Sequence, residues 1–309
     1  MARTLIILAV AVLITAAFIY LGEKVAWDVL LRFTLLQILL LCLSTFVLIF
    51  LHASGAAALL KGLGYNASPW RVLAAMLAAS TVGLAGDPKL GVPARLFFYK
   101  VFAYVPVRVG AAQTAIESFL WITMMGLLLM MPGPLAGDYV LPLSIAVAAL
   151  VFSGMAAVIV GPALLDRLWL IGPFFRKMEK LRGFIFSMRA AILQISPASL
   201  IAASGWFATT YIVDILTIGF LIDCLGGSMS SIAIAHAIVI SYLAGVASLL
   251  PLGLGVRDVT FALLLQQGGL SADLAATIAL TLRVARMLPP LALGAVMTPL
   301  VLGSKKKSG

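Results

Sequence analysis

Apolar runs with no Asp, Glu, Lys or Arg recur along the chain at 4–22, 33–60, 139–165 and 224–256. Each reaches the roughly 17–25 residues that a helix needs to cross about 30 Å of hydrocarbon. The runs are rich in Leu, Ala, Ile and Val and lack the apolar/polar alternation of an outer-membrane barrel, so helices must satisfy their backbone hydrogen bonds. The pattern predicts an all-α fold, a polytopic transmembrane helical bundle. Its regular helices are expected at about 4–21, 33–51, 110–131, 140–165, 198–222 and 229–249.

Two regions depart from that regularity. Residues 72–86 lead into Asp87-Pro-Lys-Leu-Gly-Val-Pro-Ala-Arg95 and then into 96–107. Pro251-Leu-Gly-Leu-Gly-Val-Arg-Asp258 leads into 259–270, followed by Asp273 and a last helix over about 272–299. The flanks of both breaks are short for a full crossing, and both breaks carry Leu-Gly-Val followed closely by Arg. Corresponding Gly/Pro-broken segments point to pseudo-symmetric halves with broken or re-entrant helices. A single membrane domain, 1–309, is therefore expected to divide into a first half of about 1–165, a connector at 166–190, a second half of about 191–303 and a basic tail at 304–309. Within the connector Phe174, Met178, Leu181, Ile185 and Met188 form one apolar stripe at helical spacing, with Arg176, Lys177, Lys180 and Arg182 largely off it. That pattern suits a helix lying on an anionic leaflet; a solvated connector whose charges set topology is the alternative.

Composition sharpens this picture. Hydrophobic residues make up 63% of the chain and charged ones 10%, where a soluble domain carries about a quarter charged residues. The net charge is +10, from 21 Lys and Arg against 11 Asp and Glu, and its placement argues for membrane topology and against nucleic acid. Arg167, Arg176, Lys177, Lys180, Arg182 and Arg189 crowd the connector against only Asp166 and Glu179, and Lys305, Lys306 and Lys307 lie at the C-terminal end. By the positive-inside rule these regions are cytoplasmic, while 132–138 and 223–228 hold no Lys or Arg and suit the far side. The expectation is an even number of crossings, about eight, with both termini cytoplasmic. Arg3 precedes the first apolar run as in a signal peptide, but small residues are poorly placed for cleavage, so an uncleaved helix is expected. Cys42 and Cys224 stand far apart without metal-like spacing.

Charged side chains inside such segments are expensive and usually face a protein interior or a water-filled cavity. Arg257 and Asp258 follow Gly253 and Gly255 at the expected start of a short helix, where unpaired N–H groups and the helix dipole favour an anion. A guanidinium there can grip a phosphate through two parallel bonds. At the other break Lys89, Gly91 and Arg95 surround Pro93, which suits the first position of a helix. Arg283 lies within the last helix, with Arg286 three residues on. Glu117 and Asp214 are acids inside apolar runs and, with Asp258, are the candidates for balancing charge. The competing reading is that arginines and acids pair internally to hold helices together. His236 in an apolar helix reads as an interhelical hydrogen-bond partner. No metal-ligand spacing, Gly-x-Ser-x-Gly or ATP phosphate loop occurs, so neither metal nor cofactor is expected.

At these residues the chain resembles the lysylphosphatidylglycerol synthase transmembrane-region family, which includes the flippase domain of the multiple peptide resistance factor proteins. Leu250-Pro-Leu-Gly-Leu-Gly-Val-Arg-Asp258 is similar to the family's Pro-Gly-Gly-Leu-Gly-Val-Arg-Glu, with Leu252 in place of Gly and Asp258 in place of Glu. Lys89-Leu-Gly91 with Arg95 resembles its Leu-Gly-Glu-x-x-Arg stretch, with Val92 in place of the acid. Glu117 matches a family Glu in the following helix and Arg283 a late Arg. The resemblance implies a flippase or transporter of a phosphate-bearing lipid, an anionic phospholipid or polyprenyl-phosphate type, in a bacterial or archaeal inner membrane. It implies no synthase activity, because the residues after Gly303 are too few for the soluble domain of the resistance factors. On that reading Lys89, Arg95, Arg257 and Arg283 hold the phosphate. The rivals are a transferase acting on a lipid-linked substrate, with Asp258 or Asp87 as its acid or base, and a scaffold subunit in lipid biosynthesis.

The connector gives a direct test: a peptide of residues 174–189 is expected to bind anionic vesicles at low salt and to lose binding as salt rises. Equal binding to neutral and anionic vesicles would reduce the segment to a plain connector.

Overall fold

A computed structural model describes residues 33–85, 91–133, 145, 179–248 and 255–304. Among them are nine helices and no strand: α1 (Leu35–Gly62), α2 (Pro69–Ala85), α3 (Gly91–Phe102), α4 (Val107–Leu129), α5 (Glu179–Leu193), α6 (Pro197–Cys224), α7 (Ser231–Ala247), α8 (Val256–Gln267) and α9 (Ala272–Ser304). The expected helices at 4–21 and 140–165, the basic tail, Asp87, Lys89 and Gly253 lie outside the described residues or nearly so. Helices α1, α4, α6 and the Ala272–Val296 part of α9 are long and apolar enough to cross a membrane. Their exposed side chains include Leu35, Ile201, Leu216 and Leu288, each at least 60% accessible, as a hydrocarbon-facing surface requires.

The remaining apolar helices are short. At 12 residues each, α3 and α8 span only about 18 Å, well under the hydrocarbon thickness. Each packs against the 17-residue helix before it, α3 on α2 and α8 on α7. The Arg71 guanidinium at the start of α2 lies 5.8 Å from the Tyr104 ring just past α3, so both outer ends of that pair meet. A methyl group on Gly268, past α8, would overlap Met229, just ahead of α7, so the second pair closes the same way. These are helical hairpins.

The two hairpins belong to a repeat. Helices α1 and α6 both have 28 residues, α2 and α7 both have 17, and α3 and α8 both have 12. Starts at Leu35 and Pro197, then at Pro69 and Ser231, are separated by the same 162 residues, as are Arg95 and Arg257. The local starts of α3 and α8 nevertheless differ. Gly255 has φ of 79°, a left-handed conformation that favours glycine and ends any helix upstream, so α8 begins at Val256. The Asp258 carboxylate accepts a bond from the Gly255 N–H at 3.4 Å. Helix α3 starts at Gly91, so Pro93 is its third residue and not its first, still within the turn whose N–H groups have no intrahelical acceptor. Arg95 is consequently the fifth residue, one turn inside, whereas Arg257 is the second residue of α8.

Contacts divide the chain into two compact units, each built of separate segments. One comprises Ile49–Leu127, Leu141–Thr210 and Leu293–Gly309. Here the last turns of α1 run antiparallel to the first turns of α6. A methyl at Gly55 would stand 2.5 Å from the Phe207 ring, and one at Gly62 2.6 Å from Ser199. Between them Leu59, Ile116, Leu120, Ala203 and Phe207 form a buried cluster. This packing explains why α1 continues to Gly62, beyond the expected end at 51: Ala53, Gly55 and Ala56 are small because another helix lies against them, and they do not break the helix. The other unit comprises Met1–Leu48, Leu128–Val140 and Tyr211–Ala292. In it the Thr45 hydroxyl donates to the Ala285 carbonyl at 3.1 Å, and Gly227 packs against Leu270 and Leu274. His236, fully buried on α7, has no hydrogen-bond partner for either ring nitrogen among the described residues, contrary to the interhelical bond expected of it.

Close backbone approach makes a stability prediction. A methyl at Gly294 would overlap Thr81 Oγ1 and the Leu77 carbonyl oxygen of α2, whereas nothing lies within 4 Å of one at Gly205. Gly294→Ala is expected to destabilise the fold by about 1–3 kcal/mol, lowering the unfolding temperature in detergent, and Gly205→Ala to leave it unchanged or raise it slightly.

Candidate functional site

Glu117 is the hub of the first charged cluster. It projects from α4, 4% exposed, in a helix otherwise free of acids. Arg95 of α3 donates to both of its oxygens, at 2.7 and 2.5 Å. The Gln113 amide, one turn earlier on α4, donates to Oε2 at 2.5 Å, and His52 Nε2 of α1 lies 2.8 Å from Oε1. The Arg95 Nε and Nη2 also donate to the Tyr99 hydroxyl at 2.9 and 2.7 Å. His52 stands 5.2 Å from the Trp121 ring and 5.6 Å from the Phe207 ring, which wall this group on its apolar side. The cluster lies wholly in the unit containing Ile49–Leu127.

The second cluster lies wholly in the unit containing Tyr211–Ala292 and is built from α6, α7, α8 and α9. Arg283 Nη1 lies 3.5 Å from Asp258 Oδ1, and Arg286 donates to Asp214. Arg257 sits over the Tyr242 ring at 5.3 Å, within electrostatic reach of Arg286, Asp214 and Asp258. No carboxylate among the described residues comes within ion-pair distance of it. Three guanidiniums thus face two carboxylates, and both carboxylates have an arginine of their own. Buried Arg283 Nε has no partner among the described residues either. Among the described residues the result is a spare positive charge in a weakly hydrated setting, where an anion of two or more oxygens is a natural complement.

The structure therefore brings Arg95 to Glu117, and Arg257, Asp258, Arg283 and Asp214 to one another. Gly91 opens α3 and Gly255 precedes α8, while Lys89 and Gly253 lie outside the described residues. Among the described residues, internal pairing holds for Arg95, Arg283 and Arg286, and not for Arg257. Sequence reasoning did not assign His52, Tyr99, Gln113 or Tyr242. Tyr99 and Gln113 carried a legible signal, each standing four residues from Arg95 and Glu117 respectively, on the same helix face. His52 carried one only in the repeat: it is the eighteenth residue of α1, as Asp214 is of α6. Among the described residues no group of three or more His, Cys, Asp or Glu is arranged to hold a metal ion.

The Tyr99 hydroxyl accepts two bonds from a charged partner, so Tyr99→Phe is expected to lower stability by about 1.5–3 kcal/mol. Thermal unfolding in detergent measures this; an unchanged midpoint would mean that Glu117 alone positions Arg95.

No individual curated protein and no solved structure matches the chain. The sequence pattern of the lysylphosphatidylglycerol synthase TM region, in contrast, matches residues 6–294, both broken-helix arginines and Glu117 included. This membrane protein of nine described helices, with lipid handling as its family context, belongs to the lysylphosphatidylglycerol synthase TM-region family.

Proposed function

We infer that this chain moves a phosphate-bearing lipid between membrane leaflets, with Arg257 as the first contact of the headgroup. The observation that carries this reading is the guanidinium of Arg257, which pairs with no carboxylate among the described residues, beside two Arg–Asp pairs. An arginine near the N-terminus of a short helix adds unpaired N–H groups and the dipole to its own fork of donors. Arg283 completes the phosphate site, and Asp214 and Asp258 keep the site from carrying excess charge when it empties. Lys89, Arg95, Gly91, Gly253 and Gly255 complete the proposed binding residues, Arg95 after its release from Glu117. An anionic phospholipid or a polyprenyl-phosphate-type lipid fits this chemistry equally.

The repeat supports transport over catalysis. Equivalent helices α1 and α6 run antiparallel where they meet, as equivalent helices do in transporters built of inverted repeats. Combined with the expected helices at 4–21 and 140–165, it yields six full crossings and two re-entrant hairpins in an inner membrane. That count keeps the even number expected, with six crossings in place of about eight, and puts both termini and the connector on the cytoplasmic side. A transferase would need an acid or base beside the phosphate, and Asp258 already caps α8 and pairs with Arg283.

Leaflet-to-leaflet movement of fluorescent phosphatidylglycerol in vesicles containing purified protein tests the assignment. Losing a charged, bidentate contact of about 1.5–3 kcal/mol predicts a roughly 10- to 100-fold slower rate in Arg257→Ala, with a smaller loss in Arg257→Lys. A folded Arg257→Ala protein that moves lipid at the wild-type rate would refute the phosphate role. Chemical change of the lipid on incubation would favour the transferase.

A further inference from the structure

Arg95 offers a phosphate the same two-donor face that Glu117 now occupies, at 2.7 and 2.5 Å. A phosphate taking that face must displace the carboxylate. The freed Glu117 would then be a buried anion whose remaining neighbours supply little compensation. From α1 it faces His52, from α3 the Arg95 and Tyr99 pair, from α4 the neutral Gln113 amide, and behind His52 stand the Trp121 ring of α4 and the Phe207 ring of α6. A carboxylate stripped of its cation in such a place takes a proton in preference to remaining charged. The path for that proton is in contact already. His52 Nε2 lies 2.8 Å from Glu117 Oε1, and the histidine side chain is 26% exposed where the glutamate side chain is 6% exposed.

We propose that loading a lipid phosphate onto Arg95 is coupled to the uptake of one proton by Glu117, relayed through His52, so that this protein moves protons with its lipid. The proposal rests on the phosphate-lipid reading and adds its energy source. The step balances in atoms and charge. An O–H bond forms on Glu117 with a proton given up by the imidazole, and the ring regains one from water. Before loading, Arg95 and Glu117 sum to zero; after it, a guanidinium, a phosphodiester anion and a neutral carboxylic acid also sum to zero. The loaded site carries the lipid anion and a proton as an electroneutral pair. A gradient of pH drives its movement, and a membrane potential does not. Because the bound state holds one more proton than the free one, binding strengthens as pH falls, by at most tenfold per pH unit.

Two measurements on the full chain test this. In weakly buffered detergent solution, dihexanoyl phosphatidylglycerol added to the purified protein should raise the pH reported by an indicator dye, with about one proton taken up per lipid bound. In vesicles, fluorescent phosphatidylglycerol should move faster under an imposed pH gradient and at an unaltered rate under a potassium–valinomycin potential. Glu117→Gln should bind the short lipid about tenfold more tightly, without pH dependence and without proton uptake. His52→Phe should reach the same final uptake more slowly, and wild-type uptake kinetics in that variant would remove the relay. Binding without proton uptake in the wild type, or full uptake in Glu117→Gln, would overturn the coupling. Lipid movement indifferent to pH would sink the coupling and leave transport standing; proton uptake on binding without movement between leaflets would do the reverse. No binding by the folded wild-type chain would overturn both.

Discussion

A backbone N–H or C=O within hydrocarbon has no water to bond, and this constraint organises the molecule. It confines the described residues to helices, and it restricts broken helices to places where protein packs around the break. The two hairpins meet that condition by laying each 12-residue helix along its 17-residue neighbour. Each short helix begins with N–H groups that nothing in the same helix accepts from. Chemistry is concentrated at these starts for that reason. Arg257 and Asp258 of α8 lie in the first turn after left-handed Gly255, and the Asp258 carboxylate takes one of the unpaired N–H groups while reaching Arg283.

The same medium sets the terms for charge. Breaking a buried ion pair by removing one partner is far more destabilising than never having built the pair, so charges kept in apolar helices come in compensated groups. Glu117 shows this most completely, with bonds from Arg95, Gln113 and His52 on a carboxylate that is 4% exposed. Asp214 and Asp258 are each committed to one arginine. Against that background, the Arg257 guanidinium stacked on the Tyr242 ring is the exception, and an aromatic face is a weaker partner than a carboxylate. A phosphate can displace the ring from the guanidinium without stranding an acid. At Arg95 the identical exchange strands Glu117.

What could be read from the amino-acid order alone was whatever rests on composition and local spacing. Largely apolar stretches located α1, α4, α6 and α7, and the Gly/Pro breaks located both hairpins and the last helix, with Arg95, Arg257, Glu117 and Asp258 as the residues of interest. Partners across helices were not legible. Nothing in Ala53-Ser-Gly-Ala56 announces that Phe207 lies against it, and His52 three residues before Gly55 looks like an isolated polar residue until α4 is laid beside α1. The repeat hid for a related reason. Helix lengths and the 162-residue interval are preserved, while the residues filling those positions answer to different neighbours and have diverged. Leu-Gly-Val before each Arg was the visible remnant, and even that is displaced by Pro93, which lets α3 begin earlier relative to its arginine than α8 does.

That divergence bears on mechanism. Arg95 and Arg257 occupy corresponding places, as do His52 of α1 and Asp214 of α6, so each repeat carries one ionisable side chain on its long helix and one arginine on its short helix. In the first repeat the position holds an imidazole in contact with Glu117, and the arginine is clamped by that acid on α4. In the second repeat it holds a carboxylate already bound to Arg286, and no acid among the described residues pairs with Arg257. Two identical sites would bind the same ligand with the same strength and give the chain no preferred order of loading. Under the proposed coupling, Arg257 is open to phosphate at once, whereas Arg95 becomes available only when a proton reaches Glu117.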